Sequence, residues 1–285
     1  MRVLNLAIGP SCFVRCVGCY NHFGNTDKRG GLITASEVLD FASDAVAMGI
    51  DQVTVSGGDP LTHPEILLIL RGLTTLGVSV KLDTVGTVFL GDGTKIFYGR
   101  GESPRLPITE IVGAVDVLGL PIDGPTDSIL QEFRAGRASL LSEVVAIIRL
   151  ATRAGIRVCV NTVVHSRNID TLSQIMTIAV EAGAKEWQIF EFTPIGPLGS
   201  RNAERFALQA GEFVAATRDV HRVAARLGLN VVVKEITARL GVYFLIDDAG
   251  VAWLPDGAKR QTLGHITHER PQVLDHLRSY VEVRH

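Results

Sequence analysis

Apolar residues recur with the period of a strand in some segments of this chain and with the period of a helix in others. The alternation of these two kinds of segment is the strongest constraint on its fold. Runs rich in β-branched residues predict strands at 3–8, 52–56, 78–83, 114–118, 157–164 and 187–192. Apolar residues at helical spacing predict helices at 34–48, 64–76, 140–154 and 169–182, the first opened by a possible capping box of Thr34 and Glu37. Strands that alternate with helices form parallel βαβ units, so we predict an α/β fold.

Two regions depart from this alternation. Residues 87–106 replace an expected helix with a glycine-containing stretch, which we interpret as a substrate lid with a hairpin. After residue 228 the pattern changes to strands at 231–234, 242–246 and 250–255, followed by a charged end. We therefore divide the chain into a main unit, 1–228, and a C-terminal extension, 229–285, that packs on it.

Composition narrows the class of protein. With 285 residues, 46% of them hydrophobic, the chain can bury the core of one large domain. A formal net charge of -2 argues against nucleic acid or a membrane surface as a partner. The first residues lack the pattern of an export signal, and no window of about eighteen uncharged apolar residues occurs. We expect a cytoplasmic protein that acts on a small molecule.

Three of the four cysteines fall in the short stretch GPSCFVRCVGCYNHFG, as Cys12, Cys16 and Cys19. Clustered cysteines in a chain of this size are more typical of ligands or catalysts than of disulfides. Three thiolates from one loop can hold three irons of a [4Fe-4S] cluster and leave the fourth iron open. A tetrahedral zinc site needs a fourth ligand, for which His22 is the candidate, so a zinc-binding protein stays an alternative.

The C-x3-C-x2-C loop resembles the cluster loop of radical SAM enzymes, C-x3-C-x-aromatic-C. Gly18 stands where the aromatic residue is usual, and Tyr20 supplies a ring two positions later. The resemblance implies a partial (β/α)6 TIM-like barrel, with the loop after its first strand. It also implies a [4Fe-4S] cluster that binds S-adenosylmethionine (SAM) and cleaves it to a 5'-deoxyadenosyl radical. The electron would come from a donor such as flavodoxin or ferredoxin. We expect Tyr20 to contact the cofactor.

A second segment, Gly57-Gly58-Asp59-Pro60, is similar to the GGEP segment of this family. Glycines let a backbone approach a ligand closely, and the resemblance implies that the acidic side chain accepts hydrogen bonds from the methionine ammonium. Ordinary turn chemistry is the alternative explanation for this tetrapeptide. We predict that Gly57, Gly58 and Asp59 bind the cofactor.

Other strand ends resemble further cofactor contacts of the family. Asp83 and Thr84 match a segment that contacts the cofactor ribose or the substrate. Arg134 is similar to an arginine that pairs with the methionine carboxylate, and Arg137 competes for that role. Asn161 matches an asparagine that bonds to the adenosine, although a buried amide satisfied within the core is the alternative.

The C-terminal half looks most like the viperin group and its bacterial relatives, which implies a nucleoside or sugar substrate. Where that group places basic residues to hold a triphosphate, this chain has Cys159, Glu186 and Gln188. A carboxylate repels phosphate, so we predict that the substrate is not a triphosphate. Lys81 remains, as do Lys234 and Lys259, enough to hold one carboxylate or phosphate.

The candidate catalytic residues are Lys81, Cys159 and Glu191, of which Cys159 shares a strand face with Asn161 and could donate hydrogen to a product radical. We hypothesise decarboxylation of a uronic-acid nucleoside, or a dehydration, in nucleoside antibiotic biosynthesis. Two enzyme alternatives stay open: a viperin-like nucleotide dehydratase, and an activating enzyme for a glycyl-radical partner protein. The single cysteine outside the loop argues against the auxiliary clusters of peptide-modifying subfamilies.

Overall fold

A computed structural model describes residues 2–20, 31–91, 93, 95–98, 101–239, 243–256 and 259–282. The strands are β1 Val3–Gly9, β2 Arg15–Cys16, β3 Gln52–Gly57, β4 Ser79–Asp83, β5 Lys95–Tyr98, β6 Gly101–Pro104, β7 Val117–Pro121, β8 Arg134–Ala135, β9 Arg157–Val164, β10 Glu186–Glu191, β11 Asn230–Lys234, β12 Phe244–Asp247, β13 Val251–Asp256 and β14 Lys259–His265. The α-helices are α1 Ala35–Ala47, α2 Ile66–Thr75, α3 Asp127–Phe133, α4 Leu140–Arg153, α5 Leu172–Ala182, α6 Gly196–Arg201, α7 Ala203–Phe206, α8 Glu212–Arg226, α9 Ile236–Arg239 and α10 Arg270–Glu282. Short 3-10 helices span Pro60–Thr62, Thr87–Phe89, Ile108–Ile111 and Ile169–Thr171.

One large sheet organises the chain, with strands in the order β11-β10-β9-β7-β4-β3-β1-β12-β13-β14. All neighbours from β11 to β12 run parallel, and only the last two pairings are antiparallel. The predicted α/β fold with a TIM-like partial barrel is confirmed. Parallel strands bring their carboxyl ends to one rim, where sites of such barrels form.

Alternation along each strand separates a helix-facing side from an inner side. On β1, Leu4, Leu6 and Ile8 are fully buried among the core residues, whereas the polar Asn5 lies between them. On β4, Val80 and Leu82 are fully buried, and Lys81 alternates with them. Polar residues on the strands therefore collect on the inner face, where a substrate can be reached.

Short sequence patterns predicted the bounds of several helices and strands closely. The Thr34 side chain accepts a hydrogen bond from Glu37 N, and the Glu37 carboxylate accepts one from Thr34 N, so the capping box begins α1 as predicted. Strand β9 has the predicted bounds, and the hairpin predicted within 87–106 is present as β5 and β6. The lid role of this hairpin stays a prediction.

Two elements begin later than their sequence pattern indicates. Predicted strand 114–118 is instead β7, because the backbone still turns after the 3-10 helix Ile108–Ile111 and Asp116 bonds to β4 through both its N–H and its carboxylate. The predicted helix at 169–182 opens as a 3-10 turn before α5 begins at Leu172. Helices α8 and α10 were not predicted.

The C-terminal extension joins the large sheet at two places. Its first strand, β11, pairs with β10 at one end of the sheet. Strand β12 pairs with β1, on the edge of β1 that faces away from β3, and leads into β13 and β14. Helix α10 is tied to α1 by an ion pair of 2.7 Å between Arg270 and Asp44. The division at residue 229 stays a prediction. No described helix is both long and apolar enough to span a membrane.

Candidate active site

The loop of three cysteines follows β1 at the carboxyl-end rim of the sheet. Cys12, Cys16 and Cys19 are free thiols of intermediate burial. The loop is held from outside itself, because β2 pairs with β8 and places Cys16 opposite Arg134. Val17 N donates to Phe133 O over 2.9 Å. These contacts from β8 and Phe133 fix the position of the loop that carries the thiols.

The donor set of this loop fits a cluster better than a single metal ion. Within the described residues, no three His, Cys, Asp or Glu side chains surround one point closely enough to hold one ion. In a [4Fe-4S] cluster each thiolate binds a different iron, so the three sulfurs stand further apart than around one ion. His22, the candidate fourth zinc ligand, lies outside the described residues.

Gly18 makes room for aromatic rings that come from other parts of the chain. A Cβ at Gly18 would lie 2.5 Å from Phe133 Cε2 and 2.8 Å from Phe192 Cε2. Phe133 and Phe192 pack edge to face with each other and with Phe206. The space beside the middle of the cysteine loop is thus already filled by rings, which explains why this chain has glycine at the usual aromatic position.

The glycine pair of the second segment packs directly against the cysteine loop. Gly57 has φ +130, and a Cβ there would lie 2.3 Å from Gly9 N. A Cβ at Gly58 would lie 2.0 Å from Ser11 O. Both positions therefore require glycine, and they bring the turn after β3 beside the loop, where the cofactor contact was predicted.

The Asp59 carboxylate lies in a buried hydrogen-bond network. It is fully buried and accepts hydrogen bonds from Thr84 Oγ1 at 2.8 Å, Val85 N at 2.7 Å and Leu61 N at 3.0 Å. Thr84 Oγ1 also accepts from Gly86 N at 2.9 Å. These groups satisfy each other and the backbone, and the predicted cofactor contacts of Asp59 and Thr84 stay predictions.

We expect Asp59→Ala to lower the free energy of unfolding by about 3 kcal/mol at pH 7, because buried N–H groups lose their acceptor at ~1–3 kcal/mol each. Burial raises the pKa of the Asp59 carboxyl to about 6. The folded protein therefore binds this proton more tightly than the unfolded chain does. The protonated Asp59 carboxyl thus adds to the free energy of unfolding at low pH, and this contribution declines as pH rises from about 4 to about 6. Denaturant titrations from pH 4 to 8 measure both effects.

The matched control for this stability prediction is Asp219→Ala. Asp219 is exposed on α8 and pairs only with Arg222 of the same helix, so we expect a change within about 0.5 kcal/mol. An Asp59→Ala variant as stable as this control, with the wild-type pH profile, would show that the carboxylate is not structural.

The structure distinguishes the two candidate arginines. Arg137 is held by Glu143 at the start of α4, with bonds of 2.8 and 2.7 Å. Arg134 donates to Cys16 Sγ over 3.5 Å, and its Nε pairs with the fully buried Asp123. Of the two, Arg134 contacts the cysteine loop, and its predicted pairing with the methionine carboxylate stays a prediction.

A polar network crosses the inner face of the sheet below the rim. The Lys81 ammonium contacts Asp83 Oδ1 at 3.1 Å, Gln188 Oε1 at 3.0 Å and Asn161 Oδ1 at 3.4 Å. Asn161 Nδ2 donates to Asp83 Oδ1 at 2.8 Å. Gly119 on the intervening β7 permits this bond, because a Cβ there would lie 1.8 Å from Asp83 Oδ1.

The Lys81 ammonium is engaged within the protein, and its predicted roles in catalysis and in holding a substrate acid stay predictions. All three of its N–H donors have partners within the network. Burial lowers the pKa of Lys81, but the surrounding acidic groups, Asp83 foremost, together outweigh burial and the net direction is upward, so the lysine stays charged. Lys259 is exposed on β14, the outermost strand. The Asn161 amide is engaged on both sides, and its adenosine contact stays a prediction.

Cys159 lies beside this network on β9, fully buried, with its Sγ 3.6 Å from Asn161 Oδ1. Its register partner on β10 is Glu186, and Gln188 pairs in the same register with Asn161, so these four residues share one face of the sheet. Burial raises the pKa of the Cys159 thiol to about 12, and the sulfur therefore keeps its hydrogen at neutral pH.

Glu191 and Tyr20 lie at the rim. Glu191 ends β10, and its Oε2 accepts a hydrogen bond of 2.9 Å from Ile236 N, which anchors the start of α9. Tyr20 directly follows Cys19, and 44% of its surface is exposed. The catalytic role of Glu191 and the cofactor contact of Tyr20 stay predictions.

Sequence reasoning missed two charged residues at this site. Asp123 fixes the Arg134 guanidinium and also accepts from Val163 N at 2.7 Å. Arg239 donates to Glu191 O and to Thr193 Oγ1, and its guanidinium lies 5.8 Å from the centre of the Phe190 ring. Asp123 could have been suspected from its position two residues after an apolar strand, whereas no local pattern marks Arg239.

An open parallel barrel with a three-thiol loop at its carboxyl rim, braced by a double-glycine turn, defines a class of enzymes that build a radical from a cluster-bound cofactor. Residues 6–178 match the family described as the Radical SAM superfamily, which is more than half of the chain. The chain belongs to this superfamily, whose cofactors are SAM and a [4Fe-4S] cluster.

Curated relatives cover a range of chemistry. The AdoMet-dependent heme synthase of Methanosarcina barkeri is 26% identical over 68% of this chain and 52% of its own length. The probable GTP 3',8-cyclase of Sulfurisphaera tokodaii is 26% identical over 70% of this chain and 59% of its own. This chain therefore spans only a little over half the length of these relatives.

Among solved structures, SuiB of Streptococcus suis bound to its precursor peptide SuiA superposes with a TM-score of 0.72 at 12% identity. The match covers 99% of this chain and 66% of SuiB. At this identity the similarity shows the fold alone.

Proposed function

We propose that this radical SAM enzyme abstracts hydrogen from a small nucleoside or sugar acid and acts as a lyase. The polar network on the inner face carries the proposal. Lys81 is neutralised by Asp83, and the remaining contacts come from the amides of Asn161 and Gln188. A network whose charges are already paired does not favour the binding of several phosphates, which need unpaired cations.

The acid of such a substrate needs a cation other than Lys81. The Glu191 carbonyl oxygen and the Thr193 hydroxyl hold Arg239 at the rim, where burial lowers the pKa of the guanidinium. A guanidinium fixed on one side can pair with a carboxylate on the other. We therefore assign the substrate acid to Arg239 instead of Lys81.

The proposed reaction balances with one-electron donors of the flavodoxin or ferredoxin type. SAM bound at the cluster would supply the 5'-deoxyadenosyl radical, by which one hydrogen atom would be removed from the sugar. The substrate radical loses CO2, gains a proton and takes one hydrogen atom from the Cys159 thiol. The thiyl radical is then restored by one electron and one proton. In the dehydratase variant the substrate radical loses water instead of CO2, and the neutral radical that remains takes one hydrogen atom from the Cys159 thiol without gaining a proton.

The test incubates the reconstituted protein anaerobically with SAM, dithionite and either a cytosine-nucleoside uronate or CTP. We expect the uronate to raise 5'-deoxyadenosine formation above the rate without substrate, and CTP to leave that rate unchanged. A deuterium label at the abstracted sugar position should appear in 5'-deoxyadenosine. Stimulation by CTP with no response to the uronate would instead support the viperin-like dehydratase.

The role of Cys159 is tested separately with the variants Cys159→Ala and Cys159→Ser. Neither alters the three loop cysteines, so we expect iron content to match the wild type. If the thiol quenches the product radical, both variants will form 5'-deoxyadenosine but lose most product, with a ratio of product to 5'-deoxyadenosine reduced at least about tenfold. Unchanged product yield in both variants would assign Cys159 to packing alone.

A further inference from the structure

We propose that Arg134 is a positioning residue of the cluster, which donates a hydrogen bond to the Cys16 sulfur and thereby raises the reduction potential of the iron bound there. The observation is direct: Arg134 Nη1 lies 3.5 Å from Cys16 Sγ. Hydrogen bonds to the ligating sulfurs are one of the means by which a protein sets the potential of an iron–sulfur centre.

Three restraints fix the guanidinium at this place. The backbone of Arg134 pairs with that of Cys16 across β2 and β8, so the two residues cannot slide apart. The Nε group is held by Asp123, whose other carboxylate oxygen accepts from Val163 N at 2.7 Å. Only 15% of the Arg134 side chain is exposed, and a move of the guanidinium into solvent would leave the fully buried Asp123 carboxylate without its counter-charge, which is costly.

Reduction adds one negative charge to the cluster and its thiolates. An N–H donor and a positive charge beside Cys16 stabilise the more negative, reduced state. The negative charge of Asp123 opposes this stabilisation in part, but the Nη1 group of Arg134 donates directly to the Cys16 sulfur. The cluster therefore becomes easier to reduce by the electron donor, and this effect acts before SAM is present.

The experiment measures the reduction potential of the reconstituted full-length protein by EPR-monitored redox titration, without SAM and with SAM. The variants are Arg134→Gln and Arg134→Lys, and the matched control is Arg137→Gln, three residues further on and bound only to α4 and its start. Iron content is determined for each protein. SAM affinity is measured by equilibrium dialysis with the oxidised protein.

We expect Arg134→Gln to lower the SAM-free potential, Arg134→Lys to lower it less, and Arg137→Gln to leave it at the wild-type value. If Arg134→Gln loads no iron, Arg134→Lys, which keeps the charge beside Asp123, decides the test in the same way. A wild-type SAM-free potential in the loaded Arg134 variants would overturn the proposal, even if SAM affinity fell, because Arg134 would then act on the methionine carboxylate alone.

Discussion

Replacing Cys12, Cys16 or Cys19 by alanine will leave the protein without its cluster and will reduce 5'-deoxyadenosine formation to the rate without enzyme. Three thiolates hold three irons, and the fourth iron is reserved for SAM, so no spare protein ligand remains when one thiol is removed. We expect about four irons per chain in the reconstituted wild type and less than about one in each variant. Iron and zinc analysis, the visible spectrum and the SAM cleavage assay measure the loss.

Cys159→Ala is the control for these variants, since it removes the one cysteine outside the loop and should retain the full iron content. Stoichiometric zinc in the wild type, lost in the loop variants, would assign the loop to a structural metal site instead. Retention of four irons in any single loop variant would mean that a residue outside the three cysteines serves as a ligand.

Restoring an aromatic residue at position 18 should inactivate the protein. In Gly18→Phe the new ring would occupy the space held by Phe133 and Phe192, whose atoms already lie within 3 Å of a Cβ at this position. Overpacking of a tight site costs about 1–3 kcal/mol or more, and here the strain falls between Cys16 and Cys19. We expect less than about half of the wild-type iron content and a lower melting temperature, because the loop must shift to accommodate the ring.

Removal of one displaced ring should reverse this effect in part. The double variant Gly18→Phe with Phe192→Ala opens space beside position 18, so we expect it to bind more iron than Gly18→Phe alone. Phe192→Ala alone is the reference, because it leaves a cavity next to Phe206 without crowding the loop. Equal iron content in Gly18→Phe and the wild type would show that the rings do not determine the residue at position 18.

Patterns of short range predicted much of the fold. The capping box at Thr34 and the bounds of β9 depend on residues within one element, and the structure confirms them. The three cysteines were identified by their spacing and residue type, and the Gly57-Gly58 pair by its resemblance to the GGEP segment of the family. Their meeting at one rim follows from parallel strands, which the alternation of strands and helices already implies.

Contacts between distant segments were not predictable in this way. Whether Asp59 faces a ligand or the interior depends on Thr84 and Val85, which follow the next strand. From the sequence alone Lys81 is interpreted as a free cation, because its partners lie on β4, β9 and β10 and only the structure brings them together. Periodicity reports which face a residue shares, but it does not report which opposite charge or donor will stand across the sheet.

The frame of the cysteine loop is assembled from widely separated parts of the chain. Phe133 and Arg134 brace the loop from one side, Asn202 donates to Val17 O at 2.9 Å, and β12 flanks β1, from which the loop departs. During synthesis the three thiols therefore emerge before the residues that support them. Iron delivered to a nascent chain would meet cysteines without a site, and the cluster can be held in its final geometry only after the C-terminal half has folded back.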